Sequence, residues 1–332
     1  MLPSPLRADT LFPPFFPAQP VRAASSASGL PRITVITPSY NQAPYLEATL
    51  RSVLEQGYPN LEYIVVDGGS TDGSRDILEH YAPHLSWWVS ERDAGQTDAI
   101  RKGLTRATGE WFNWINSDDL LAPGALWRIA EAAGARQTDI IAGATHDFLG
   151  AELRVRKASH GLCVEEMLFQ NLGQERIGWH QPSVWLRRAG IDPVMLDVSL
   201  HYRFDYDLLL RYLNRHPRVY YLPDTLAYFR LHQSSKSCSQ PEKFIPEQMR
   251  VLRAVVSEAE FAPWRRQAEL ALRRWAWLER LDRILDDRGV SRWSRIGEIL
   301  REVRRDPQGV WGKDTRRAIR RLALRGGKRR GG

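Results

Sequence analysis

A chain of 332 residues, 43% hydrophobic and 26% charged, can bury a sizeable core and has the length of about two soluble domains. No stretch approaches the roughly 18 to 20 consecutive apolar residues of a membrane-spanning helix, so none is expected. The net charge of +8 is uneven: residues 261–332 hold 21 Lys/Arg against 9 Asp/Glu, a tail of +12 on a body of −4, and the two call for separate explanations.

Residues 1–31 read as a disordered leader. Its apolar stretch "LFPPFFPAQPV" is broken by prolines, and no basic start leads into a continuous hydrophobic run, so a signal peptide is not expected. The β-branched "ITVIT" (33–37) reads as a strand, "SYNQAP" as a loop, and "YLEATLRSVLEQ" (45–56) as a helix with Leu46, Leu50, Val53 and Leu54 at helical spacing. "LEYIVVD" (61–67) is a second buried strand, followed by the turn "GGSTDGS" and the helix "RDILEHY". "SWWVS" (86–90) is a third strand, with the loop "ERDAGQ" and a helix near 96–106 after it. "WFNWIN" (111–116) is a fourth, "GALWRIAEAAG" (124–134) its helix, and "DIIAGA" (139–144) a fifth strand. This alternation predicts an α/β fold, a mostly parallel sheet with helices on both faces.

Past residue 150 the alternation is lost. "HDFLGAELRVRKA" reads as a hairpin, "VEEMLFQN" as a helix, "QPSVWLRR" (181–188) as a strand and "FDYDLLLRYLNR" (204–215) as a helix. From about 242 the chain reads as helical, with Arg and Trp throughout and a disordered "GGKRRGG" end. The expected organisation is a leader (1–31), an α/β domain (32–240), a basic helical extension (241–325) and a disordered tail (326–332). Cys163 and Cys238 lack metal-ligand spacing and suggest a reducing, cytoplasmic setting.

Ligands of open α/β sheets bind beyond the carboxyl ends of the strands. Tyr40 and Asn41 follow the first strand; Asp67, Ser70 and Asp72 the second; Asp93, Gln96 and Asp98 the third; Asp118 and Asp119 the fourth. In "WFNWINSDDLLAPG" a buried-looking strand runs straight into two adjacent acids. A surface turn, with Asp119 capping the next helix, explains such a pair by itself; acids from three of these segments on one edge favour a bound cation.

"TPSYN", "VDGGSTDGS", "DAGQTDAIRKG", "NSDD", "HQPSVWLRR" and "FDYDLLLR" occur in the order found in inverting family 2 glycosyltransferases, and over roughly residues 32–240 the chain resembles that family. The resemblance implies the GT-A nucleotide-diphospho-sugar transferase fold and a UDP-type sugar donor. It also implies a divalent metal, Mn2+ or Mg2+, on the diphosphate and a glycan or lipid-linked acceptor in bacterial cell-surface polysaccharide synthesis. By that resemblance Pro38, Tyr40, Asn41, Asp67, Gly68 and Ser70 hold the base and ribose, with Asp67 accepting from a uracil-type ring N–H. Gly68 and Gly69 let the backbone approach the ligand. Asp98 and Lys102 line the nucleotide, or form a plain surface ion pair. Asp118 is the metal ligand, with Asp119 beside it on metal, sugar or a supporting group. The usual Asp-X-Asp motif begins here with Asn116.

An inverting transfer needs a general base for the acceptor hydroxyl. Asp205 aligns with the family's base, although Phe204 stands where relatives often have Glu; Asp207, with Arg211 four residues on, suits the helix dipole. Trp179, His180 and Gln181 are implied on the acceptor side. His232 is a candidate metal ligand, and Ser237 or Lys236 candidates for the phosphates.

In the tail, Trp264, Leu270, Leu272, Trp275, Trp277 and Leu278 are interleaved with Arg. They suit either the interface of an anionic bilayer or a helical cap with a solvated Arg face. The expected location is cytoplasmic, peripheral at the inner face of the cell membrane, with no nucleic-acid partner. A nucleotidyltransferase would show a glycine-rich phosphate loop, which "TPSYNQAP" is not. A non-catalytic nucleotide-sugar-binding protein would not need Asp118, Asp119 and Asp205 together.

Overall fold

Strand β1 (Ile33–Ser39) is buried at every position, as a central parallel strand buried on both faces must be. In the computed structural model it pairs in parallel with β2 (Leu61–Asp67) and β4 (Trp111–Trp114), and β2 with β3 (Trp87–Ser90). The structure describes residues 2–6, 12–17, 29–170, 172, 176–232, 240, 243–287 and 289–324. The chain divides into two compact units, Met1–Cys163 with Ile177–Phe244, and Val164–Arg176 with Ile245–Gly332.

The first unit holds the whole sheet, in the order β3-β2-β1-β4-β8-β6-β9-β5 with β7 on β6. The further strands are β5 (Leu120–Leu121), β6 (Ile140–Leu149), β7 (Glu152–Ala158), β8 (Val184–Arg187) and β9 (Val219–Arg230). The helices are α1 (Ala43–Leu54), α2 (Ser74–Tyr81), α3 (Gln96–Arg106), α4 (Ala125–Ala135) and, after the short α5 (Val164–Leu168) of the second unit, α6 (Phe204–Arg215). Ile33 and Val35 pack with Leu46 and Leu50 of α1, while Ile36, on the opposite face of the same strand, meets α3 at Gly103. A Cβ at Gly103 would stand 2.9 Å from Ile36, so glycine sets the closeness of this helix to the sheet. The α/β class and helices on both faces are as expected.

Antiparallel β8 lies between β4 and β6, which joins the parallel block to the β6–β9 parallel pair. The β6–β7 hairpin is as expected, but β9 is not anticipated from sequence. Pro223 lies within it and lacks the N–H a ladder uses. The ladder with β6 shifts register there, from Ala142↔Tyr221 to Ala144↔Thr225.

The leader is corrected for its two described segments. The N–H of Leu6 donates to Glu47 (2.7 Å), and Arg51 donates to the Pro3 carbonyl (2.8 Å). Phe12, Phe15 and Phe16 pack on a cluster of Ala48, Leu120 and Phe148, with Tyr228 beside it. The prolines that prevent regular structure leave these rings free to dock as an irregular segment. Residues 326–332, expected to be disordered, lie outside the described residues, as does Cys238.

The second unit contains α5, α7 (Phe244–Ser257) from Ile245 onward, α8 (Arg265–Asp286), α9 (Arg292–Arg305), α10 (Pro307–Val310) and α11 (Lys313–Leu324). Its core joins Trp277, Leu281 and Ile284 of α8 to Ile296 and Ile299 of α9 and Ala318 and Leu322 of α11. Trp275 and Trp277 are therefore not an interfacial belt. Both are buried, and Trp277 donates its Nε1–H to Thr315 (2.8 Å). A ring this large stabilises a small helical unit more by filling its core than by facing solvent.

One buried carboxylate ties the approach to β4 to the strands beside it. Glu62 of β2, 4% exposed, accepts from the Thr34 hydroxyl (2.6 Å), the Thr108 N–H and hydroxyl (each 2.7 Å), the Gly109 N–H (3.2 Å) and Arg32 (3.0 Å). Burial pushes its pKa up, but the bonds from Thr34 and Thr108 and the Arg32 charge outweigh it and hold the group below its ordinary value. A carboxylate lowered on folding stabilises above its unfolded pKa of about 4.3 and loses that contribution as pH falls through the folded value. Glu62→Gln is expected to cost on the order of 3 kcal/mol in urea unfolding at neutral pH, because an amide N–H would face the donors. The deficit should shrink as both proteins are titrated below about pH 4.

Candidate active site

The sequence places four loops at the carboxyl edge of β1–β4, and their side chains bind one another before they could bind any ligand. Asn41, at φ 51° the one non-glycine positive φ among the described residues, follows β1. Its N–H donates to the Ser70 hydroxyl (2.7 Å), and its side-chain oxygen accepts from the Thr71 N–H (2.9 Å). Asp72 accepts from the Ala43 N–H at the start of α1 (2.9 Å) and from Ser74 at the start of α2 (2.6 Å). Burial acts against its charge, but these donors prevail and lower its pKa. Pro38 is held inside β1 opposite Val66, while Tyr40 is 62% exposed at the strand's end.

Asp67 is fully buried. Its carboxylate accepts from the N–H groups of Gly69 (3.2 Å) and Ser70 (2.9 Å) and from the hydroxyls of Ser70 and Ser90. Four internal donors meet the carboxylate, so Asp67 shapes the turn that follows β2. Gly69, at φ 80°, carries the turn, and Gly68 lies against Asp93, whose oxygens would be 3.1 Å from a Cβ there. Burial raises the Asp93 pKa, and the charges of Asp98 and Asp67 add to the rise. Asp93 is thus a candidate that sequence reasoning placed on this edge without giving it a role.

Asp98 accepts from the Ala94 N–H (3.2 Å), pairs with Arg101 (3.3 Å) and stands 3.8 Å from Lys102. Lys102 pairs more closely with Glu91 (3.0 Å). The plain ion pair is therefore present. Gln96, at the start of α3, donates to the Asn116 side chain (2.7 Å) and so joins the third loop to the fourth.

The two adjacent acids part company. Asp119 is 1% exposed and accepts the Arg230 N–H at the end of β9 (3.0 Å), with the Asn116 amide at 3.4 Å. Burial raises its pKa well above the ordinary value, and the neighbouring Asp118 charge adds to that. It caps no helix, since Gly124 stands at the start of α4, and its carboxylate is turned to the end of β9. Asp118 turns outward, its side chain 20% exposed, and meets His232 Nε2 at 2.8 Å. Arg230 donates to the Asp118 carbonyl (2.8 Å) and lies over the rings of Tyr45 (4.8 Å) and Phe148 (4.6 Å). Burial lowers the Arg230 pKa against the opposing pull of Asp119 and Asp118. Arg230 and Tyr45 are site residues that sequence reasoning missed; "YFRLHQ" carried the signal, but only the pairing of β9 with β5 brings it to Asp118.

Asp118 Oδ2 and His232 Nε2 meet at hydrogen-bond distance (2.8 Å), so a cation held by both would replace that bond. Among the described residues no three His, Cys, Asp or Glu side chains gather, so two protein ligands would leave the other positions to phosphate and water, a usual pattern for Mg2+. Ser237 and Lys236 lie outside the described residues.

Asp205 opens α6, and its carboxylate accepts from the Tyr206 N–H (2.7 Å). It lines a recess with Trp114, Trp179 and Gln181. Gln181 donates to the Trp114 carbonyl (2.8 Å), and the Trp114 and Phe204 rings lie 5.8 Å apart, so β4 carries both the Asp118 turn and one wall of the Asp205 recess. The loop before α6 is tied to the third loop by Thr97 donating to the Leu200 carbonyl (2.6 Å). Asp207 is held by Arg211 (3.0 Å). His180 is not brought to Asp205. Its extended backbone turns it away from Trp179 and Gln181, toward Lys157 (3.1 Å) and Asp147 (4.0 Å). Burial, followed by the Lys157 charge, pushes its pKa down to about 4.

The chain is similar in sequence and in fold to known proteins. The family model described as "Glycosyl transferase family 2" matches residues 34–195. An uncharacterized glycosyltransferase of Nostoc sp. is 31% identical over 219 residues, covering 63% of this chain and 67% of that protein. TuaG of Bacillus subtilis, a candidate teichuronic acid biosynthesis glycosyltransferase, is 44% identical over 92 residues, 27% of this chain and 36% of its own. In fold the chain resembles S. aureus TarS 1–349 in complex with UDP-GlcNAc, with a TM-score of 0.56 at 20% identity over 74% of this chain and 71% of that one. It also resembles the mannosyltransferase PcManGT of Pyrobaculum calidifontis in complex with GDP-Man and Mn2+, with a TM-score of 0.55 at 18% identity over 92% and 90%.

The split between the acids is testable by stability. Asp119→Ala leaves the Arg230 N–H without its acceptor and is expected to cost about 2–4 kcal/mol. Asp118→Ala, on the exposed side, should cost no more than about 1 kcal/mol in the same urea unfolding.

Proposed function

The chain belongs to glycosyltransferase family 2, and from that premise we propose that it transfers a sugar, with inversion, from a nucleotide diphosphate sugar to a hydroxyl group. UDP is the preferred nucleotide, and the acceptor is a glycan or lipid-linked saccharide of bacterial cell-surface polysaccharide synthesis. The observation that carries this is the partition along β4: Trp114 walls the Asp205 recess, and four residues on Asp118 presents its carboxylate with His232.

The base of the donor lies on Tyr40, whose exposed ring offers a stacking face at the end of β1. Asn41, Gly68, Gly69 and Ser70 form the rim for base and ribose, with Asp67 and Asp72 holding that rim in shape from behind. Such pre-set hydrogen bonding spares the ligand the cost of ordering the loop. The diphosphate lies toward Asp118 and His232, which would hold a Mn2+ or Mg2+ ion; when bound, the ion supplies stabilisation of the negative charge that grows on the leaving diphosphate. Arg230, fixed behind Asp118 by Asp119, adds positive charge on the same side.

Asp205 acts as general base. The acceptor hydroxyl oxygen forms a bond to the anomeric carbon while the bond from that carbon to the diphosphate oxygen breaks, and the hydroxyl proton passes to the Asp205 carboxylate. Trp114 and Trp179 give the acceptor sugar apolar faces to lie on, and Gln181, fixed by Asn113 and Trp114, presents a polar edge beside them. Asp207 is held by Arg211 and has no part in proton transfer.

A screen of nucleotide sugars with purified protein, with and without Mn2+, is expected to release nucleotide diphosphate from one donor class. Release from none, together with no calorimetric binding of UDP, would overturn the proposal. Asp205→Asn should lower turnover by about 10²–10⁴-fold with donor affinity little changed. Tyr40→Ala should instead weaken the donor by roughly tenfold, the scale of one aromatic–base stack.

A further inference from the structure

The helical second unit needs an explanation that sugar transfer does not supply, because its outer surface is basic and aromatic while its core already holds Trp275 and Trp277. We propose that this unit carries a docking surface for an anionic lipid bilayer, formed by Trp293, Leu300 and Trp311 with the outward arginines of α9 and α11. The proposal stands independently of the donor and acceptor named above.

The pattern is one of helix faces. In α9, Ile296 and Ile299 are buried in the unit's core, whereas Trp293, Leu300, Arg301 and Arg304 are exposed. The spacings of seven and four residues from 293 to 300 to 304 keep Trp, Leu and Arg on a single face. Trp293 is 62% exposed, Leu300 43% and Trp311 46%, and the Arg292 guanidinium lies 5.1 Å over the Trp293 ring. In α11, Thr315, Ala318 and Leu322 are buried, and Arg316, Arg317, Arg320 and Arg321 are all exposed on the other side.

The acids of α9, and Asp306 just after it, are paired with arginines of α8. Glu298 and Glu302 pair with Arg280 of α8, and Asp306 with Arg273. They knit the helices together and leave the outer arginines to face an external negative charge. Tryptophan at headgroup depth, a leucine beside it and a surrounding field of arginine are the components of an interfacial helix. Each suits a different layer of the bilayer surface: acyl boundary, interface and anionic headgroup. A polyanion such as RNA would use the arginines but gain little from Leu300 and from Leu324, which is 66% exposed.

The test is co-sedimentation of the full chain with phosphatidylcholine vesicles, with and without phosphatidylglycerol. Binding is expected only with the anionic lipid, to weaken as salt is raised, and to shift tryptophan emission to the blue. Trp293→Ser with Trp311→Ser, and separately Arg316→Glu with Arg320→Glu, should each weaken binding by about tenfold or more. Far-UV circular dichroism should be unchanged, since all four side chains are exposed. Donor turnover without vesicles should also be unchanged, which separates this proposal from the catalytic one. No binding, equal binding to neutral vesicles, or binding indifferent to the tryptophan pair would overturn it. So would tighter binding to a single-stranded oligonucleotide that the same arginine changes abolish.

Discussion

A carboxylate kept from water must be answered by a donor, and at Asp119 the donor is the backbone of Arg230, 111 residues away. That bond clamps the end of β9 to the crossing between β4 and β5. It decides which of two neighbouring acids faces the cleft: with Asp119 spent inward, the alternation of the chain sends Asp118 out to His232. It also sets Arg230 under Tyr45 and behind the Asp118 carbonyl. An apparent liability, two adjacent like charges, is resolved by turning one inward to a backbone donor and the other outward to His232. The rise in the Asp119 pKa is the cost of that arrangement, since burial and the neighbouring Asp118 charge both disfavour its charged form.

The same economy recurs at the other loops. Asp67 and Asp72 each organise a turn by accepting several N–H and hydroxyl donors. Of the groups at this edge, Tyr40, Asn41 and Thr71 are exposed. Loops that would otherwise be mobile are braced across β1 and β2 by Asn41 and across β3 and β4 by Gln96. A rim assembled in advance in this way suits a nucleotide, whose binding would otherwise have to order the loops.

Much of the fold was legible in the residues. The β-branched runs at 33–37 and 61–67, and the helical periodicity at 45–56 and 204–215, match β1, β2, α1 and α6 because burial alone explains both pattern and place. β9 was hidden by Pro223, which argues against a strand until a register shift is known to accommodate it. The leader's phenylalanines look like disorder beside prolines, and only a hydrophobic niche formed by Leu120 and Phe148 gives them a place. In the second unit, Trp275 and Trp277 could not be told from Trp293 and Trp311 by composition. Both of the first pair are buried, and Trp277 is packed among helices that the sequence does not juxtapose.

By itself the sequence determined the class of the sheet, the edge on which its polar loops gather, the position of Asp205 at a helix start and the separation of an acidic body from a basic tail. These follow from periodicity, turn chemistry and charge, which are local. Tertiary structure alone decided that Asp118 faces outward and Asp119 inward, that Asp67 braces a loop, and that His180 turns toward Lys157 while Trp179 and Gln181 turn toward Asp205. Each of those choices depends on which distant strand or loop arrives to donate a hydrogen bond or exclude water. Adjacent residues of like chemistry carry no mark of that difference.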